Sequence, residues 1–220
     1  MYLLLVLNAV FGQTPAEPQW NPVWSQGFSL TTYAYPYGIN TVPGTYYYNS
    51  TLDASRVDRV NGRFDGFCGQ NEWFMFLDTP CTTLVNSGIR YLYYPALGVC
   101  CNCCSAEDGC GILAPTWLND SVYQGTYDYN GTTPAYLWNK IDRFYWETVD
   151  PNPLNRQALE MDDTTNSKWV FTTPRSYDFT SSVFNVPTYC QSNYMCDPNS
   201  LCAQVRGSGG KSEHLRHMVF

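Results

Sequence analysis

The chain has 220 residues, 44% hydrophobic and 16% aromatic, with only 14% charged. That balance supplies a large core and excludes intrinsic disorder, which needs low hydrophobicity and high charge. A formal net charge of −7 offers no basic stripe to a phosphate backbone, so neither nucleic acid nor an anionic lipid surface is an electrostatic partner.

In chain order, Met1–Phe11 is an apolar run too short to span a bilayer, followed by Gly12 and the polar stretch Gln13–Pro18. Residues 1–12 read as a secretory signal peptide, truncated at its start because no Lys or Arg precedes the apolar run. No second long apolar segment suggests a transmembrane span. Residues 13–26 read as an irregular arm.

Short aromatic and β-branched runs bounded by Gly, Pro and Asn then predict strands. The first is Phe28–Tyr35, followed by Gly44–Tyr48 and Arg56–Val60. Asn61-Gly62 predicts a tight hairpin into Arg63–Phe67. Thr82–Val85 and Ile89–Tyr94 flank a turn at Asn86-Ser87-Gly88. Val122–Tyr127 turns at Asn130-Gly131 into Ala135–Trp138. Arg143–Thr148 and Lys168–Thr172 complete the set, with a short helical turn expected near Asn155–Met161. Eight to eleven strands at hairpin spacing predict one antiparallel all-β domain, a sandwich or a barrel, over residues 13–202. Residues 203–220 read as a flexible tail.

Ten cysteines stand at Cys68, Cys81, Cys100, Cys101, Cys103, Cys104, Cys110, Cys190, Cys196 and Cys202. An even count behind a leader favours disulfides over zinc or an iron–sulfur cluster. Adjacent cysteines on an extended chain point to opposite sides, so Cys100-Cys101 and Cys103-Cys104 suit separate partners better than one tetrahedral metal. That makes the Cys100–Cys110 segment a staple. Cys68 with Cys81 and Cys196 with Cys202 are local pairings open to the chain, and the connectivity itself stays open. No metal site is expected. Sequons at Asn49, Asn119 and Asn130 are candidate glycosylation sites, Asn130 standing at an expected hairpin tip.

The only histidines, His214 and His217, lie beyond Gly207-Ser208-Gly209-Gly210. A body without imidazole argues against Ser-His-Asp and Cys-His catalysis and the usual zinc hydrolases. Acidic pairs remain, Asp162-Asp163 beside Glu160 and Asp142 with Glu147. Surface carboxylates are the simpler reading of these, so no enzyme and no cofactor are expected. Weak Ca²⁺ binding stays open at the Glu160–Asp163 loop, which lacks the spaced ligands of a dedicated calcium loop.

Six motifs in order resemble the ependymin-related family. They are Tyr46-Tyr47-Tyr48-Asn49, Arg56-Val57-Asp58-Arg59, Arg90–Tyr94 running on to Cys100-Cys101, Tyr123-Gln124-Gly125 with Trp138, Tyr145-Trp146-Glu147-Thr148 with Pro151 or Pro153, and Phe184–Cys190. The resemblance spans roughly residues 28–190. It departs where the family often places a cysteine after the Phe-x-Glu strand, since Thr148-Val149-Asp150 has none. The double-cysteine cluster is also extra and resembles a divergent branch from single-celled eukaryotes. The resemblance implies a secreted glycoprotein with a fold like the bacterial lipoprotein carriers. That fold is two antiparallel sheets forming a curved sandwich or half-barrel around a hydrophobic cavity. A homodimer and a secreted, lumenal or lysosome-like location are implied with it.

Two functions follow. In the first, a hydrophobic small molecule or lipid, such as a fatty acid or phospholipid, sits in a β-lined cavity. Alternate strand positions would supply its wall: Tyr46 with Tyr48, Tyr91 with Tyr93, and Trp138 and Tyr145. Tyrosine suits this because its ring covers apolar surface while its hydroxyl meets a head group. In the second, a disulfide-rich surface or matrix protein binds carbohydrate or protein through exposed aromatics.

Overall fold

The computed structural model describes residues 14–34, 38–69, 78–141, 143–162, 167–190 and 194–208. The expected leader therefore lies outside the described residues, as do Asp142, Asp163, His214 and His217.

Eleven strands form one continuous antiparallel sheet. They are β1 (Val23–Ala34), β2 (Gly38–Asn49), β3 (Ala54–Arg59), β4 (Cys81–Asn86), β5 (Ile89–Tyr94), β6 (Val99–Ser105), β7 (Val122–Tyr129), β8 (Thr133–Lys140), β9 (Arg143–Thr148), β10 (Ala158–Asp162) and β11 (Ser167–Phe171). The spatial order is β6-β5-β4-β3-β2-β1-β11-β10-β9-β8-β7. Each half is a meander, and antiparallel pairing of β1 with β11 joins them, with Phe28 opposite Phe171 and Leu30 opposite Trp169. The two sheets expected are thus two arms of one sheet.

The hairpins form where the turn chemistry says they should. Ser87-Gly88 and Asn130-Gly131 both take positive φ at their two central residues, the backbone twist that suits a two-residue hairpin. Asn61-Gly62 does not make the expected hairpin. Residues 61–69 form a looped segment pinned by Asp65, which pairs with buried Arg59 and accepts from the backbone N–H of Phe67 and Cys68. Gly44 marks a close approach: a Cβ there would sit 2.2 Å from the Asp58 carbonyl and 2.4 Å from the Phe28 ring.

Register sorts the side chains into two faces. On the inner face Tyr46, Val57, Thr83, Leu92 and Cys101 form one row. Leu30, Trp169, Met161, Tyr145, Trp138 and Tyr123 form another. Four strand spacings separate β2 from β9, roughly 19 Å across a flat sheet. Yet Trp20 reaches both: its ring lies 5.4 Å from Tyr48 and its Nε1 donates to the Tyr145 hydroxyl at 3.1 Å. The sheet is therefore curled, with Trp20 in its hollow. The connector from β6 to β7, residues 106–121, crosses the same hollow and adds Trp117 and Leu118 to the core.

All ten cysteines are paired, Cys68–Cys81, Cys100–Cys190, Cys101–Cys196, Cys103–Cys202 and Cys104–Cys110. Neighbours on β6 do reach different partners. Cys100 faces outward to Cys190, whereas Cys101 faces inward to Cys196. The local Cys196–Cys202 pairing does not form. The segment around Met195 runs alongside β6, bridging Asn102, and that alignment sets Cys196 beside Cys101. The tail expected over 203–220 is corrected at 203–208, and 209–220 lie outside the described residues. A short helix, α1 (Leu201–Ser208), buries Cys202 and Val205 against β6, and Arg206 donates to the carbonyls of Cys103 and Cys196. The short helical turn expected near 155–161 lies slightly earlier, as a 3-10 turn at Pro153–Asn155, and residues 158–161 instead belong to β10.

Two outcomes test this architecture. Thiol labelling of denatured, unreduced protein should find no free cysteine, and peptide mapping should return Cys101–Cys196 and Cys103–Cys202 rather than Cys196–Cys202. Gly44→Ala should lower stability by about 1–3 kcal/mol in denaturant titration, because the added methyl meets a backbone carbonyl that cannot step aside.

Candidate functional site

Four of the six sequence-predicted wall residues meet on the inner face. Tyr46, Tyr48, Trp138 and Tyr145 belong to one buried cluster with Trp20, Trp24, Trp117, Trp169 and Phe171. Many of these rings meet edge to face: Trp24 lies 5.0 Å from Tyr46, and Trp117 lies 5.5 Å from Trp20 and 6.1 Å from Tyr145, whereas Trp24 and Tyr48 are tilted at 34°. Such contacts contribute beyond the apolar area they cover. The Tyr48 hydroxyl donates to the Leu113 carbonyl at 2.7 Å, tying the crossing segment to the sheet. Burial pushes the Tyr48 hydroxyl up to about 12 and raises those of Tyr46 and Tyr145 as well.

Tyr91 and Tyr93 lie on the other face. There they pack with Tyr47, Phe179, Phe184 and the Cys100–Cys190 disulfide, under residues 179–190. An alternating pair shares a face, but its spacing cannot say which one. The register places Leu92, not Tyr91, opposite Thr83 and so turns both tyrosines outward. The Arg56 and Arg59 pair also splits. Arg56 binds Asp58 and the Val183 carbonyl on the outer face, and Arg59 turns inward to Asp65 and Thr83.

The inner face also carries buried charge: Glu147, expected as a surface carboxylate paired with Asp142, is 2% exposed, and the sequence reading singles out neither Arg156 nor Arg175. Glu147, Arg156 and Arg175 gather at its β9–β10 side. Arg156 is 1% exposed. Its Nη1 donates to Glu147 Oε1 at 2.8 Å and to the Ala16 carbonyl at 2.7 Å, and its guanidinium lies 4.9 Å from the centre of the Tyr136 ring. Trp138 Nε1 donates to the same Glu147 oxygen at 3.0 Å. Burial lifts the Glu147 carboxyl to about 7, against the pull of Arg156 and Trp138. Arg175, 7% exposed, lies over the Trp24 ring at 5.0 Å. Arg90 is buried toward the opposite arm, where desolvation brings its guanidinium down to about 9. Arg90, Arg156 and Arg175 are scattered through the chain, and no local pattern brings them to Glu147.

Elsewhere, Glu160 accepts from the Tyr129 hydroxyl and pairs with Lys168 at 2.8 Å, which puts an ammonium where the Glu160–Asp163 loop was open to calcium. The sulfurs of Cys103, Cys104 and Cys110 cluster within 4.8 Å because two disulfides pack side by side. Asn49 is 8% exposed and its Oδ1 accepts from the backbone N–H of Thr51 and Leu52, a setting that leaves little room for a glycan. Asn119 and Asn130 are exposed.

No protein-family model matches the sequence, and no curated protein matches it. Among solved structures the chain is similar to an uncharacterised conserved protein from Thermus thermophilus, at 8% identity and a TM-score of 0.44, over 76% of this chain and 86% of that one. It is similar to a LolA superfamily protein from Nitrosomonas europaea, at 9% identity and a TM-score of 0.35, over 74% and 90%. A DUF1329 family protein from Desulfovibrio piger is similar at 12% identity and a TM-score of 0.33, over 79% and 91%. Likenesses this distant add nothing to what the strand order itself establishes. No helix among the described residues is long and apolar enough to cross a membrane.

A carboxyl raised by folding holds protons that the unfolded chain has already released between pH 4.5 and 7. Stability measured in denaturant should therefore fall as pH rises through that window. Glu147→Gln should flatten the fall, and an unchanged slope in the variant would assign it to other groups.

Proposed function

We propose that this protein is a secreted, non-enzymatic carrier that binds a hydrophobic ligand, a fatty acid or phospholipid, on its concave aromatic face. The observation that carries the reading is how that face is covered. A second sheet or a helical layer would seal it permanently, but residues 14–22 and 106–121 lie over it without joining the sheet. They hold one another, through Trp20 N–H to the Pro115 carbonyl and Asp120 N–H to Glu17. Their ends are fixed by the Cys104–Cys110 disulfide and by backbone bonds of Ser50 N–H to Pro22 and Ala106 N–H to Gly88, and over the aromatic rows their grip runs through side-chain bonds such as Tyr48 to Leu113 and Lys140 to the Trp117 and Asn119 carbonyls. An acyl chain entering beneath them exchanges Trp20 and Trp117 contacts for its own, so the aromatic wall stays covered. Burying roughly fifteen methylenes contributes about 12 kcal/mol. Association costs of about 4–15 kcal/mol leave roughly micromolar binding, enough for a carrier.

Five disulfides suit an oxidising compartment and support secretion. The resemblance to ependymin-related proteins adds glycosylation at Asn119 and Asn130, and a homodimer, to the same proposal.

One observation favours a second reading, a binder of carbohydrate. On the outer face Tyr127 is 49% exposed, and its ring and that of Tyr129 lie 6.0 and 5.6 Å from Trp146. Such a platform suits stacking of a sugar ring.

Native mass spectrometry of protein secreted from a eukaryotic host, without detergent, separates the two. The carrier reading expects a lipid-mass adduct lost on solvent extraction, and added oleate should change the fluorescence of Trp20, Trp24, Trp117, Trp138 and Trp169. A clean apo mass with no oleate uptake would reject the carrier, and glycan binding lost in Tyr127→Ala would then establish the alternative.

A further inference from the structure

The buried polar groups of the inner face are out of balance in a way that specifies a missing partner. Arg175 is more than nine-tenths buried, yet its Nε, Nη1 and Nη2 have no hydrogen-bond partner among the described residues. Arg156 Nη2 and Trp24 Nε1 are in the same condition. Gln26 Oε1 is the one orphaned acceptor on the residues around them. A guanidinium carries five N–H donors, and burying it without acceptors is among the most costly arrangements a core can hold. What the cluster lacks is oxygen acceptors.

Charge points the same way. Both guanidinium groups act electrostatically on Glu147 and Tyr145, so Arg156 and Arg175 share one small region. Two cations against the single carboxylate Glu147 leave a net charge of about +1 when Glu147 is ionised. A monoanion neutralises that surplus, whereas a dianion overshoots it and faces Glu147. The walls beside Arg175 are apolar, Trp24 beneath it and Tyr145 and Trp20 next along the hollow.

We propose that Arg175, backed by Trp24 and assisted by Arg156, holds the monoanionic oxygen headgroup of an apolar-tailed ligand, a carboxylate or a phosphodiester. This rests on the carrier reading above and adds the end of the face at which the ligand is anchored. The headgroup oxygens accept from the Arg175 fork while the tail runs over the aromatic rows toward Tyr46. Arg175 is a binding residue here; in the fold its guanidinium rests on the Trp24 ring and makes no hydrogen bond among the described residues. The ion pair of Arg156 with Glu147 and its bond to Ala16 stand without it.

The test compares wild type with Arg175→Met, which keeps the length of the side chain and removes the donors. Probes are oleate, its uncharged methyl ester, dioleoyl phosphatidylglycerol and acetate, read by calorimetry and by thermal stability. Wild type should prefer oleate to the ester by about tenfold to a hundredfold, the range for a hydrogen bond to a charged group. Arg175→Met should lose that preference while binding the ester as before, with its own thermal stability unchanged or raised. Tight binding of phosphatidylglycerol in place of oleate would identify the headgroup as the phosphodiester. Equal binding of oleate and ester by wild type, or an unchanged preference in Arg175→Met, overturns the headgroup site and leaves the carrier intact. Stabilisation of wild type by acetate, absent in Arg175→Met, with no uptake of either long-chain probe, keeps the anion site and rejects the carrier. No response to any probe rejects both.

Discussion

The structure depends on filling the hollow of one long curled sheet. Strands rich in aromatics put large rings on alternate positions, and the curl brings rings from distant strands toward a common centre. A hollow of that kind cannot be closed by the strands themselves. Trp20, which is not part of a strand, closes it. It touches Trp24, Tyr46, Tyr48 and Trp117 edge to face and donates to Tyr145. A tryptophan does this better than an aliphatic residue because its N–H satisfies a buried hydroxyl while its ring supplies the area. The covering segments owe their course to this requirement, since residues 14–22 and 106–121 carry Trp20 and Trp117 to the centre.

The open edges of the sheet are handled by different means. The β6 edge is joined by the segment around Met195 and by α1, and three disulfides with loops of 90, 95 and 99 residues fasten residues 190–202 to it. Cross-links that close long loops restrict the unfolded chain most. They also remove an edge that would otherwise pair with another chain. The β7 edge is broken by a bulge between Tyr123 and Gly125. A bulge twists an edge away from further pairing. The β6 arm is thus covalently stapled, whereas over Glu147, Arg156 and Arg175 the cover is held by side-chain bonds such as those of Lys140, Arg156 and Trp20.

Buried charge sets the functional question. Arg156 and Glu147 satisfy one another, and Trp138 and the Ala16 carbonyl complete most of their shell. Arg175 has no such shell, and a core built for stability alone would place Met or Leu there. The cation over Trp24 offsets part of the desolvation cost. The remainder is recovered only when an acceptor arrives, which links this residue to binding rather than to folding.

The fold class, most strand positions and the hairpins at Ser87-Gly88 and Asn130-Gly131 were legible in the sequence, because alternation and positive-φ turn residues are local properties. The sequence also determined that adjacent cysteines on β6 reach different partners, since successive side chains of an extended strand point apart. It placed Tyr46 and Tyr48 on one face and Tyr91 and Tyr93 on one face, yet it could not say that these faces differ. Only the tertiary structure decided that, because pairing register is set between strands and a slip of one residue exchanges the faces. The partners of Cys196 and Cys202, the helix at Leu201–Ser208 and the joining of two arms through β1 and β11 are likewise long-range choices. So is the gathering of Glu147, Arg156 and Arg175, whose spacing in the chain carries no period and whose meeting the curl of the sheet alone brings about.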